Sequence, residues 1–228
     1  MRFLLFCLVL LCGAAAPNLA QRNKPRPAAG LASFLALGDS YTCGQGVAAP
    51  ERWPVQLAAL ARQQGLALSQ PDIIARTGWT TAELLTAIEA ANITRTYDLV
   101  SLQIGVNNQY RGLPLGRFRA EFRQLLRTAV RLAGGRAGRV LVLSTPDWGL
   151  APANHADQAR IGQEINQLNA VARAECKQAG IAFVDITPDT RAAAGTPGQF
   201  APDGLHYSGP HMRRWALAAL PVVQTMLR

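Results

Sequence analysis

Residues 33–46 read SFLALGDSYTCGQG. SFLAL, 33–37, is an apolar run too short for a helix and bounded by glycine, the mark of a buried strand. Gly38, Gly44 and Gly46 then turn the chain sharply, and Ser40 sits in that turn. An ordinary turn residue, a phosphate-loop hydroxyl and a nucleophile all fit Ser40 locally. A phosphate loop needs a lysine before Ser or Thr at the helix start, and none is present. The turn is also not G-x-S-x-G. A nucleophile further requires a base, an acid that orients the base and an oxyanion site, so the rest of the chain decides.

Outward from this strand, apolar runs alternate with longer helical patterns, the signature of a parallel sheet covered by helices. A helix is expected over 52–64, ended by Gly65, and a second strand within 66–75, broken by Pro71. Thr80 and Glu83 have capping-box spacing, which starts a helix over 80–91 just after Gly78. A third strand is expected at 97–104. The helix over 115–133 has Phe118, Phe122, Leu125, Ala129 and Leu132 on one face. A fourth strand at 139–144, a helix over 157–179 ended by Gly180, and a fifth strand at 181–186 follow. A final helix after Ser208 is interrupted by Pro221. The five β/α units predict an α/β doubly wound fold of one domain over 33–228, with no internal repeat.

Sites in such folds form beyond the C-terminal ends of the strands. That rule selects the loops 38–46, 76–80, 105–112 and 202–208. Among three histidines, His206 is the best base, because Asp203 three residues earlier can hold one ring nitrogen and fix its tautomer. His155 and His211 have no such neighbour in sequence and read as surface or packing residues. The Gly78 amide lies near the positive end of a helix dipole and permits close approach by substrate. Asn107 and Asn108 carry amides that can donate to an oxyanion. Taken alone, Gly78 reads equally well as a turn glycine, Asn107 and Asn108 have Asx-turn chemistry as the alternative, and Asp203–His206 a loop salt bridge.

Together the four loops resemble one family, the SGNH/GDSL hydrolases. GDS at 38–40, Gly78 in RTGWT, GVNN at 105–108 and DGLH at 203–206 occur in the family's order, over about residues 33 to 225. RWPVQL, IGVNNQYRG and PDWG look like the bacterial branch described as lysophospholipase-like esterases. The resemblance implies a three-layer α/β/α fold with a five-stranded parallel sheet of flavodoxin-like order 2-1-3-4-5. It makes Ser40 the nucleophile, His206 the base and Asp203 its orienter, with Gly78, Asn107 and the Ser40 amide as the oxyanion hole. Asn108 departs from the family's usual Asp. Asp39 is then structural, bonding turn amides. No metal or cofactor is implied. Trp79, Asn108, Tyr110, Arg111, Trp148 and Tyr207 are candidate substrate contacts, for an O-acylated carbohydrate or a lysophospholipid-like ester. A non-catalytic surface-binding protein on the same fold is the alternative, and the complete residue set argues against it.

The first residues, MRFLLFCLVLLCGAAAP, read as a secretory signal over 1–20: Arg2 is the charged start, Phe3 to Leu11 the apolar core and Gly13 to Ala16 the small cleavage region. The run is too short to span a bilayer, so the mature chain is expected outside the cytoplasm with no transmembrane segment. Cys12 raises lipid attachment as the alternative, against which stands the large Leu11 before it. Residues 21–32 form a polar, Pro-rich lead-in. The net charge is +9 over 228 residues, carried almost wholly by arginine. It allows weak attraction to an anionic cell surface, but no nucleic-acid module accompanies it. Arg119, Arg123, Arg127 and Arg131 make one helical stripe, read as a solvated face. Cys43 and Cys176 are expected to remain unbonded to each other.

Overall fold

The computed structural model describes residues 30–154 and 156–228. The expected signal at 1–20, Cys12, the first part of the lead-in and His155 lie outside the described residues. The chain runs β1 (Phe34–Gly38), α1 (Ser40–Cys43), α2 (Trp53–Gln63), β2 (Asp72–Ala75), α3 (Thr81–Ala90), β3 (Leu99–Gln103) and α4 (Val106–Tyr110). It continues through α5 (Leu115–Leu132), β4 (Val140–Leu143), α6 (Gln158–Ala179), β5 (Ala182–Val184), α7 (Thr187–Ala192) and α8 (Gly209–Leu227). The five strands are parallel in the order β2-β1-β3-β4-β5, as the family resemblance implies.

Strand periodicity divides β1 between two cores. Phe34 and Ala36 pack with Leu57 and Ala61 of α2 and Trp215 and Val223 of α8. Leu35 and Leu37 face the other way, onto Leu84 of α3, Phe118 and Phe122 of α5 and Val171 of α6. A sheet covered on both faces needs apolar residues at successive positions, which is why SFLAL carries no alternation.

Helix boundaries follow capping chemistry. Thr80 caps α3 in a full capping box with Glu83, and Gly180 ends α6 in the left-handed region. Some expectations change. β2 begins only after Pro71, because proline cannot donate to a ladder; Leu68 makes an isolated bridge to Ala32 instead. α4 forms inside the loop expected over 105–112, and α7 lies between the fifth strand and the final helix; both are too short to show periodicity. α8 continues through Pro221. The missing N–H costs one helical bond, but Pro221 faces solvent while Leu220 and Val223 stay buried on the core. The arginine stripe is not wholly solvated: Arg123 donates two bonds, of 2.8 and 2.9 Å, to the buried Glu175 of α6, and Arg119 joins them. Cys43 and Cys176 are unbonded, as expected.

Gly105 joins β3 to α4 with φ 130°. A Cβ there would meet Phe118 at 2.8 Å and Leu168 at 3.1 Å. Backbone strain and overpacking then act together. Gly105→Ala is expected to cost roughly 2–4 kcal/mol of stability, measured by urea unfolding.

Candidate active site

The loop after β1 is built around Asp39. Its carboxylate accepts from the Tyr41 amide at 3.0 Å, and its carbonyl accepts from Thr42 and Cys43. Burial pushes the Asp39 carboxyl up to about 7, against the opposing effect of the Tyr41 and Gly105 amides. It is structural, as expected. The Ser40 carbonyl receives the Gly44 and Gln45 amides, both at 2.9 Å, which closes the turn. Ser40 is 4% exposed.

The loop between α7 and α8 carries Asp203 and His206, the pair expected to act as orienter and base. Asp203 Oδ1 accepts the Leu205 and His206 amides at 2.9 Å, and Oδ2 holds His206 Nδ1 at 2.7 Å. Burial alone would raise the Asp203 carboxyl. The two amides and the His206 ring more than offset it and hold the group below the usual carboxylate range. With Nδ1 occupied, Nε2 is the ring nitrogen left for chemistry. Tyr41 packs against the His206 ring at 5.9 Å between centroids. Where Gly46 stands, a Cβ would lie 2.8 Å from the Ala201 Cβ. The Ser40 turn and the Asp203–His206 loop are therefore in direct contact. Tyr41, the residue after Ser40, makes that ring contact; Ser40 and His206 share no hydrogen bond among the described residues, and such bonds often tighten only when substrate is bound.

The third part is the joint between β2–α3 and α4. Gly78 has φ 85°, and a Cβ there would make an ordinary contact with Arg111 Nη2 at 3.8 Å. Asn107 Nδ2 donates to the Trp79 carbonyl at 2.9 Å. A primary amide has two N–H groups, so this bond orients Asn107 and leaves a second donor. Among the described residues the amides of Ser40 and Gly78 have no acceptor.

The expected substrate contacts divide. Tyr110 is 68% exposed and meets Trp148 edge-on at 5.3 Å. Both line a cavity of about 420 Å³ with Leu113, Leu115 and Phe118. Trp148 is itself buried, with its indole N–H on Gln109 Oε1 at 2.6 Å. Trp79 is half-buried against the α3–α5 core. Tyr207 is corrected: it is fully buried and its hydroxyl donates to the Asp147 carbonyl at 2.8 Å, so it anchors the His206 loop from beneath. Its place beside His206 suggested a cleft residue because adjacency in sequence does not show which way a side chain turns. Asn108 is corrected too: it is 1% exposed and bonds Thr81. Arg111 is engaged by the Gly78 carbonyl and Glu83, which gives it a supporting place on the Gly78 loop. Sequence reasoning missed Tyr41 as the contact between the two loops. Its apolar ring next to Ser40 was the available signal. No cluster able to hold a metal occurs among the described residues.

This fold and site define a hydrolase of the three-layer α/β/α class. Residues 36–213 match the model of the GDSL-like lipase/acylhydrolase family. The chain belongs to that family and is an ester hydrolase of its type. No curated protein sequence is significantly similar. Among solved structures, TesA is 19% identical, with a TM-score of 0.69 over 86% of this chain and 99% of that one. The acetylxylan esterase Axe2 of Geobacillus stearothermophilus is 20% identical, with a TM-score of 0.67 over 84% and 94%. A lipase/acylhydrolase of Enterococcus faecalis is 20% identical, with a TM-score of 0.64 over 87% and 98%. At these identities the likeness shows the fold.

His211 also has a carboxylate nearby, with Nε2 3.5 Å from Asp189 Oδ2. It differs from His206 in being buried between Tyr207 and Trp215. Burial lowers it to about 4, despite the opposing pull of Asp189. The folded state therefore resists protonation between pH 6.5 and 4, where the unfolded chain takes up a proton. That stabilisation is complete above pH 6.5 and is lost as pH falls towards 4. His211→Phe keeps the ring packing and removes the titration. Its melting temperature relative to wild type is expected to rise from pH 7 to pH 4.5; a constant difference would remove His211 from the acid limb of stability.

Proposed function

We propose that the protein is a serine esterase acting outside the cytoplasm. Ser40 Oγ attacks the ester carbonyl while His206 Nε2 takes its proton. Asp203 holds the imidazole tautomer and stabilises the imidazolium. The carbonyl oxygen becomes an oxyanion facing the Ser40 and Gly78 amides and the free N–H of Asn107. Collapse expels the alcohol, which takes the proton from His206, and leaves an acyl-enzyme on Ser40. Water, deprotonated by His206, then releases the acid. Preorganised donors matter because charge develops on that oxygen in the transition state. The carrying observation is the 2.7 Å Asp203–His206 bond on a loop packed against the Ser40 turn through Tyr41.

The proposed substrate is an O-acylated carbohydrate or a lysophospholipid-like ester. The exposed Tyr110, set edge-on to Trp148, offers aromatic surface beside α4 for either. Export rests on the leader-like stretch at 1–20, with lipid attachment at Cys12 as the minor route; cell fractionation of the full chain tests it. Comparing acetyl, butyryl and octanoyl p-nitrophenyl esters, acetylated xylan and lysophosphatidylcholine separates the substrate classes.

Ser40→Ala is expected to lower turnover by about 10⁶-fold with an unchanged melting temperature; retention of a tenth of the rate would remove Ser40 as nucleophile. Asn107→Ala is expected to lower kcat by about 10²–10³ with little change in KM, read by steady-state kinetics on p-nitrophenyl acetate.

A further inference from the structure

We propose that Glu121 of α5 is a positioning residue for the oxyanion niche, acting through Thr81 and matched to Asn108. This rests on the reading that the Gly78 amide and Asn107 Nδ2 form that niche.

The argument is one of hydrogen-bond direction. The Thr81 amide can only donate, so the Asn108 atom facing it at 3.0 Å is the oxygen Oδ1. Nδ2 then faces Thr81 Oγ1 at 2.7 Å and can only donate to it. The Thr81 hydroxyl proton must go elsewhere, and Glu121 Oε2 receives it. Arg117 Nε donates to the other carboxylate oxygen at 2.7 Å. Thr81 and Asn108 are buried, so water offers no alternative partner. The chain runs one way, from Asn108 through Thr81 to Glu121.

The same segment carries the niche. Asn107 holds the Trp79 carbonyl and Asn108 holds the Thr81 amide. Two successive residues of α4 thus grip the start of α3 on either side of its cap, immediately after Gly78. If that grip slips, the Gly78 amide moves relative to Asn107 Nδ2, and a displacement of about 1 Å can cost on the order of 10²-fold in rate. A carboxylate at position 108 would compete with Glu121 for the single Thr81 proton. The amide found here is the partner that Glu121 requires.

A double-mutant cycle tests this. Asn108→Asp is expected to lower both melting temperature and kcat, the latter on the order of tenfold, with KM within about twofold, a coupling of the size seen between bonded neighbours. Adding Glu121→Gln to it should restore most of both. The introduced amide then donates to Thr81, and Thr81 donates to the introduced carboxylate, so the chain runs in reverse. Glu121→Gln alone should lower kcat by a smaller factor. The proposal is overturned if Asn108→Asp behaves as wild type, if the double variant is no better than Asn108→Asp, or if coupling appears in melting temperature but not in kcat. Asn107→Ala does not alter this chain, so its kinetics report separately on the niche.

Discussion

The structure depends on strand register at the C-terminal edge of the sheet. Gly38 of β1 pairs with Ala75 of β2 on one side and Gln103 of β3 on the other. Three strands therefore end at one level, and the chain turns over that edge within two to four residues of each. Ser40, Gly78 and Asn107 are those turning residues. Gly38 is where the packing is tightest: any side chain there would overlap the Thr42 hydroxyl and the Gln103 carbonyl. The α1 turn folds directly back onto the end of β3, and only a residue without a Cβ allows that approach. A larger residue at 38 would lift the Ser40 turn away from the loops that surround it.

The His206 loop meets the Ser40 turn from the other end of the chain. It is fixed from below by Tyr207, buried and bonded to the Asp147 carbonyl, and from behind by α8, whose cap Ser208 accepts the His211 amide. Tyr41 and Tyr207 pack 5.9 Å apart between centroids, and each lies 5.9 and 5.1 Å from Trp215. One aromatic cluster thus supports both the Ser40 turn and the His206 loop. Rigid support of this kind holds the two loops in place without a hydrogen bond between Ser40 and His206.

Polar groups around the site are used mostly to hold backbone. Asp39 bonds amides, Arg111 holds the Gly78 carbonyl, and Asn108 and Thr81 fix the start of α3. The donors left for the proposed oxyanion niche are fewer. Their direction is set by these supporting bonds, because an amide group with one hydrogen committed has its second hydrogen fixed in space.

The sequence alone determined the alternation of five strands with the long helices; the strand order came from the family resemblance that the four loop motifs carry. Buried apolar runs, the Thr80–Glu83 capping box and the Gly180 terminus are local signals, written in residues close together in the chain. DGLH was legible for the same reason, since Asp203 and His206 fall within one turn. Only the tertiary structure decided which neighbours face the cleft and which face the core. Tyr207 turned inward and Tyr110 outward although both flank site residues, because burial depends on what packs against the loop from distant elements. The α4 helix was too short to show a period, and the Asn108–Thr81–Glu121 chain joins three elements. Its direction follows from donors and acceptors that meet only after α3, α4 and α5 have packed.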